Sequence, residues 1–237
     1  MRLFTGSEED TEAIRKICSC IDYSSALITN ASKAQVIQAC EEAKRYKMAA
    51  VAVFPSYLSL VAEHLKGTSV APQLPCGFPS GGVATSIKQA EVAQALKDGA
   101  REVDMVLNIG RLVDRDYAYV ENDIKAVVDA AHDGGVTCKV ILEVGFLQDD
   151  DKRAAVDIAC KVGADFIKTC TGFAEGKATF HDIALIKECA KGRLKIKASG
   201  GVASLEDQAA FIEAGASRVA GRFNIVSQMQ KLGIQGF

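Results

Sequence analysis

Eight short runs rich in β-branched residues, each separated from the next by a longer amphipathic stretch, leave few folds open to this 237-residue chain. The predicted strands are 17–23, 48–54, 70–77, 102–108, 137–143, 165–168, 194–198 and 217–220. The clearest predicted helices are 31–47, 56–66, 85–97, 117–133, 149–162, 179–190 and 204–213. Their apolar residues recur at intervals of three and four, as at Val120, Ile124, Val127 and Val128. Ser32, Thr85 and Ser204, the last with Asp207 three residues on, are helix start signals. Gly67, Gly99, Gly163 and Gly215 are stop signals, and the last three each precede an alanine that opens the next strand. Residues 1–16 predict an extra helix before the first strand, and the tail after Asn224 a final one.

Strands alternating with helices pair in parallel through right-handed crossovers. A closed barrel and an open doubly wound sheet both satisfy that rule. No Gly-x-Gly-x-x-Gly follows the first strand, so the dinucleotide-binding open sheet has no support. Eight units in a chain of this length fit a (β/α)8 TIM barrel, an α/β fold with the extra N-terminal helix added. No Pro/Ser-rich linker divides the chain, which predicts one domain over 1–237. A net charge of -2 gives no electrostatic reason to expect nucleic acid or an anionic membrane as partner. No apolar run is long enough to cross a bilayer, and the polar, acidic start lacks a signal-peptide layout. The 8 cysteines are scattered without a Cys-x-x-Cys pair, as expected of reduced thiols in a cytoplasmic protein. His64, His132 and His181 lie far apart in helical stretches, so no metal site is expected on them.

Side-chain alternation sorts each strand into two faces. On strand four, Val103, Met105 and Leu107 suit the layer under the helices, which puts Glu102, Asp104, Val106 and Asn108 inside. By the same rule Lys139, Ile141 and Glu143 face inward on strand five, Phe166 shares a face with Lys168 on strand six, and Lys195, Lys197 and Ser199 face inward on strand seven. Barrel interiors are ordinarily apolar, and buried charges cost stability unless paired. Apolar residues would often stabilise as well as an acid–lysine cluster, so chemistry is the better reason for Asp104, Lys168 and Lys197, near the carboxyl ends of their strands. For Glu102 and Lys195, nearer the amino ends, ion pairing in the barrel floor is the plainer reading; for Lys139 both stand. Burial and a neighbouring ammonium lower a lysine's pKa, and a neutral amine attacks an aldehyde to form an imine. Lys197 suits the neighbouring cation, and Asp104 suits proton transfer.

These motifs resemble those of the deoxyribose-phosphate aldolases. The resemblance rests on Val103-Asp104-Met105-Val106-Leu107-Asn108-Ile109-Gly110, on Lys139-Val140-Ile141-Leu142-Glu143 with Gly145, and on Gly163 to Phe173 around Lys168, with Cys170 where serine is commoner. Lys197-Ala198-Ser199-Gly200-Gly201-Val202 and Gly77-Phe78-Pro79 with Gly81 complete it, in order along nearly the whole chain. It implies a class I aldolase that cleaves 2-deoxy-D-ribose 5-phosphate to acetaldehyde and D-glyceraldehyde 3-phosphate. Lys168 would form the imine, Lys197 lower its pKa, and Asp104 with a water take the proton of the C3 hydroxyl. Asp22 would orient hydroxyls or relay protons, though a turn-forming aspartate is an alternative. The phosphate would meet the turns after strands six, seven and eight, at Thr171, Gly172, Ser199, Gly200, Gly201, Gly221 and Arg222. No metal or organic cofactor is implied, because the imine is the electron sink. A homodimer or larger homo-oligomer is.

The departures gather at the phosphate end. Ala203 stands where an arginine is usual after Gly-Gly-Val, and Arg222-Phe223 replaces two serines after strand eight. Asp22-Tyr23-Ser24-Ser25 stands where Asp-His-Thr is frequent. Arg222 offers a charged fork to a phosphate or a carboxylate. Two alternatives therefore stay open: a Schiff-base aldolase of the same family acting on a different phosphorylated or acidic sugar, and a barrel that binds a sugar phosphate without chemistry.

Overall fold

The computed structural model describes residues 3–237. Among these, eight parallel strands close into a barrel in sequence order: β1 Ile21–Tyr23, β2 Ala50–Ala52, β3 Ala71–Cys76, β4 Glu102–Val106, β5 Thr137–Ile141, β6 Phe166–Lys168, β7 Lys195–Ala198 and β8 Arg218–Gly221. The predicted helices form as α2 Lys33–Arg45, α3 Leu58–His64, α4 Thr85–Lys97, α6 Tyr117–Asp133, α7 Asp149–Lys161, α8 Phe180–Ala190 and α9 Leu205–Ala214. The extra N-terminal helix is α1 Glu8–Cys18; residues 1 and 2 of that prediction lie outside the described residues. The tail forms α10 Phe223–Lys231. Among the described residues no helix is long and apolar enough to cross a membrane.

Three local expectations need correction. The first strand is shorter than 17–23, because Ile17 and Cys18 close α1 with their side chains buried. Asn108 does not continue β4 inward: its side chain caps a short unpredicted helix, α5 Ile109–Val113, by accepting the Arg111 N–H at 3.1 Å. Thr85 does not cap α4; Ala84 is the N-cap, and the Thr85 hydroxyl donates to Asp123 Oδ1 at 2.8 Å. The other signals behave as their chemistry dictates. Ser32 and Ser204 form capping boxes with Gln35 and Asp207. Gly67, Gly99, Gly163 and Gly215 take positive φ at their helix ends, a conformation open to glycine without steric penalty.

The apolar core lies between strands and helices. Val103, Met105 and Leu107 of the β4 segment pack there against Val120, Ile124, Val127 and Val128 of α6, as the alternation requires. Inside the barrel β2 contributes small residues: Val51 and Val53 belong to the outer core, so Ala50 and Ala52 face the lumen and leave room for long polar side chains. One buried ion pair braces the outer layer near the functional end. Lys88 of α4 is fully buried; its ammonium donates to Asp123 Oδ2 of α6 at 2.5 Å and to the Val106 carbonyl, at the end of β4, at 2.9 Å.

Removing one partner of such a pair leaves a buried, uncompensated charge. Asp123→Ala is expected to lower unfolding stability by about 3–5 kcal/mol. The double variant Lys88→Met/Asp123→Leu should regain most of that loss in urea denaturation.

Candidate active site

The closed barrel brings Asp22, Asp104, Lys168 and Lys197 from four strands into one buried cluster. Lys168 and Lys197 are paired in register across β6 and β7. Both ammonium groups donate to one oxygen, Asp104 Oδ2, at 3.0 Å from Lys168 and 2.7 Å from Lys197. Lys197 also lies 2.5 Å from Asp22 Oδ2 and donates to Gln73 Oε1 at 3.3 Å. Lys168 is only 5% exposed, Lys197 2% and Asp104 0%, so solvent screens these contacts little.

Beneath the pair lies a second layer. Lys139 donates to Asp104 Oδ1 at 2.9 Å and to Glu102, and sits 3.4 Å from Asp22 Oδ2. Arg218 of β8 bridges Glu102, at 2.9 Å, and Asp22. Gln73 of β3 donates to Asp22 Oδ2 at 2.8 Å and to Glu102 Oε2 at 3.1 Å. Phe166 forms the floor, its ring centroid 5.7 Å from the Lys139 ammonium and 5.9 Å from the Arg218 guanidinium. Glu102 is thus a floor ion-pair residue. Lys195 is exposed, with its ammonium 5.5 Å from the centroid of the same ring.

The electrostatics single out one amine. Three carboxylates, Asp22, Glu102 and Asp104, face four basic side chains, Lys139, Lys168, Lys197 and Arg218. One proton more than the acids can balance is present when all four are charged. Burial, and then the Lys197 ammonium, depress the Lys168 pKa to about 8, although Asp104 opposes them. For Asp104, burial alone would raise the pKa, but Lys139, Lys197 and Lys168 outweigh it and hold the carboxyl well below its usual range. Asp22 is likewise held low, by Lys139, Lys197 and Arg218 against burial. Burial disfavours charge on Lys139, yet Asp104, Asp22 and Glu102 raise its pKa and keep it an ammonium. An amine that gives up its proton more readily than an ordinary lysine, ringed by charged groups, is what this arrangement supplies.

At the carboxyl ends of β6, β7 and β8 a cleft of about 350 Å³ opens. Thr171, Gly172, Ser199, Gly200, Gly201 and Arg222 of the predicted set all line it. Gly200 and Gly201 take φ of +91° and +74°; a Cβ on Gly200 would meet that of Cys170 at 2.8 Å. Gly221 does not line the cleft. A Cβ there would point outward, 2.8 Å from Ile21 Cγ2, and its carbonyl accepts the Ser24 N–H at 2.8 Å. Arg222 is the N-cap of α10; its side chain is exposed and reaches the Gly172 carbonyl at 3.4 Å.

Sequence reasoning missed Gln73, Arg218 and Lys177. Alternation about Val219 puts Arg218 on the lumen side with Ala220, so that signal was present. Lys177 had none, because it lies in an irregular loop; its stem runs over Gly201 and it lines the cleft with Arg222.

Residues 6–228 match the family model described as DeoC/LacD family aldolase. The chain is 45% identical over 204 residues to a deoxyribose-phosphate aldolase of Streptococcus sanguinis, covering 86% of this chain and 91% of the relative. It is 46% identical over 205 residues to deoxyribose-phosphate aldolase 1 of Bacillus licheniformis, with coverage of 86% and 91%. Among solved structures, the tetrameric deoxyribose phosphate aldolase of Aeropyrum pernix superimposes with a TM-score of 0.83 at 27% identity, over 95% of this chain and 93% of that one.

The depressed Lys168 pKa gives a pH test. Below about 8 the amine is protonated and unreactive; above it the free amine predominates. Cyanoborohydride trapping of a small aldehyde should therefore speed up with pH through a midpoint near 8 and level off beyond it. Lys197→Met removes the like charge and should move that midpoint upward.

Proposed function

The chain belongs to the DeoC/LacD family of aldolases, and from that premise we propose that it cleaves 2-deoxy-D-ribose 5-phosphate to acetaldehyde and D-glyceraldehyde 3-phosphate through an imine on Lys168. The observation that carries the reading is the pair of buried lysines sharing one oxygen of Asp104, with the Lys168 pKa depressed to about 8.

That geometry supports the following roles. Neutral Lys168 attacks C1 of the open-chain sugar, and loss of water gives the iminium. Asp104, working through a water, takes the proton of the C3 hydroxyl. The C3 oxygen becomes a carbonyl, the C2–C3 bond breaks, and its electron pair flows into the iminium to leave an enamine. Protonation of the enamine at C2 and hydrolysis release acetaldehyde and regenerate the amine. Lys197 keeps Lys168 poised and shares Asp104 with it. Asp22 fixes Lys197 from below, which supports a relay role more than contact with substrate. The iminium is the electron sink, so the sequence of steps calls for no metal or organic cofactor.

At the far end of the substrate, Arg222 and Lys177 supply cations to the cleft, and Thr171, Gly172, Ser199, Gly200 and Gly201 form its walls. The two cations Arg222 and Lys177, with Ala203 where the family's arginine is usual, also favour a second reading: the same retro-aldol cleavage of another acidic sugar. We further infer a cytoplasmic homo-oligomer. Eight free thiols support the compartment, and the tetramer of the Aeropyrum pernix relative supports the assembly.

Lys168→Ala should abolish cleavage of deoxyribose 5-phosphate, and Asp104→Leu should lower kcat by about 100-fold or more. Retention of near-normal turnover by either variant, in a coupled assay of glyceraldehyde 3-phosphate, would overturn the assignment. Arg222→Ala should raise KM for the phosphorylated sugar by about tenfold and leave that for deoxyribose unchanged. A panel of phosphorylated and carboxylated sugars assayed on the wild-type protein separates the two substrate readings.

A further inference from the structure

Glu143 lies just past β5, is 1% exposed, and takes no part in the ion network that joins Asp22, Glu102 and Asp104. Its backbone lies in the left-handed region, with φ of +56° and ψ of +61°, which is unfavourable for a residue with a side chain. The flanking peptides hold it there: the Leu142 N–H donates to the Lys168 carbonyl and the Val144 N–H to that of Thr169, each at 3.0 Å. The twist aims the carboxyl group across β6 into the following loop. Glu143 Oε2 accepts the Thr171 N–H at 3.1 Å and the Thr171 hydroxyl, whose oxygen in turn accepts the Phe173 N–H at 3.0 Å. Glu143 Oε1 is buried with no hydrogen-bond partner and lies toward Gly176. Gly176 packs so tightly on Gly145 that a Cβ on either would meet the other's Cα, at 2.8 Å and 2.5 Å. Glu143 is thus bonded to the first residue of the loop 171–176 and lies beside the last.

A left-handed side-chain-bearing residue and an unpaired buried oxygen both cost stability, so stability is a poor reason for the arrangement. The loop supplies Thr171, Gly172, Ala174, Glu175 and Gly176 to the cleft that Lys177 and Arg222 also line. We propose that Glu143 is a positioning residue that fixes the 171–176 loop at the height where it meets the anionic end of the substrate, without touching the reacting atoms. This deepens the reading of the cleft as the phosphate end of an aldolase site, and rests on it.

The test compares Glu143→Ala, Glu143→Gln, Thr171→Val and the double variant Glu143→Ala/Thr171→Val. Glu143→Ala should raise KM for deoxyribose 5-phosphate by about tenfold. Trapping of acetaldehyde on Lys168, a probe too short to reach the loop, should stay within about twofold of wild type. Glu143→Gln keeps a carbonyl acceptor for Thr171 and should restore KM to within about threefold. The double variant should raise KM by less than the product of the two single effects, because both changes break the Glu143–Thr171 link, while Thr171→Val also frees the Phe173 N–H. Independently of turnover, hydrogen exchange at the Thr171 and Phe173 amides should quicken by about tenfold in Glu143→Ala. Unchanged exchange, an unchanged KM, additive effects, or a parallel loss of acetaldehyde trapping would each overturn the proposal. Wild-type protein that fails to cleave the sugar phosphate sinks the functional reading instead, and the exchange measurement still decides the role of Glu143 in the loop.

Discussion

One carboxylate oxygen, Asp104 Oδ2, is shared between two buried lysines, and the rest of the lumen is arranged around that competition. Lys197 has further anionic and amide partners in Asp22 and Gln73, whereas Lys168 has the shared oxygen alone among the ion pairs of the described residues. Asp104 is also engaged on its other oxygen by Lys139, so it has less negative charge to offer either amine. Lys168 stands at the end of this queue. Its low proton affinity is a property of the whole cluster, set by how many acids the neighbouring strands deliver.

The barrel makes such a cluster affordable to fold. Charges on β1, β4, β5, β6, β7 and β8 meet only because the sheet closes and side chains of alternate residues converge on one axis. The small residues Ala50 and Ala52 on β2 leave the volume that the long side chains occupy. The apolar core is displaced to the annulus between strands and helices, where Met105, Val140 and Ile196 pack, so stability and chemistry occupy different faces of the same strands. Lys88 and Asp123 join the two layers by bracing the end of β4, two residues beyond Asp104.

Much of this was legible in the residues themselves. Period-two alternation assigned Asp104, Lys139, Lys168 and Lys197 to the interior because one face of each strand is plainly apolar. The same rule faltered where strands are short. β1 has three residues, so its start at Ile21 was hidden by the apolar side of α1, which runs into it. Asn108 continues the β4 alternation on paper, yet its side chain satisfies a helix amide instead. Gln73 was obscured by the prolines on either side of it in Ala71-Pro72-Gln73-Leu74-Pro75, which blur the strand pattern. Lys177 and the Glu143–Thr171 link depend on loop paths, and no periodicity encodes those.

The aromatic floor has a consequence for proton traffic. Phe166, flanked by Lys139 and Arg218 and lying below the buried acids, plugs the barrel at its amino-terminal end. Phe166 is 5% exposed and Lys139 0%, whereas Arg218 beside them keeps 21% of its side chain open to solvent. For a hydrogen leaving Lys168 the acceptor at hand is Asp104, its one ion-pair partner among the described residues, and Lys139 and Lys197 hold that same carboxylate, so charge is handed round within the group of side chains.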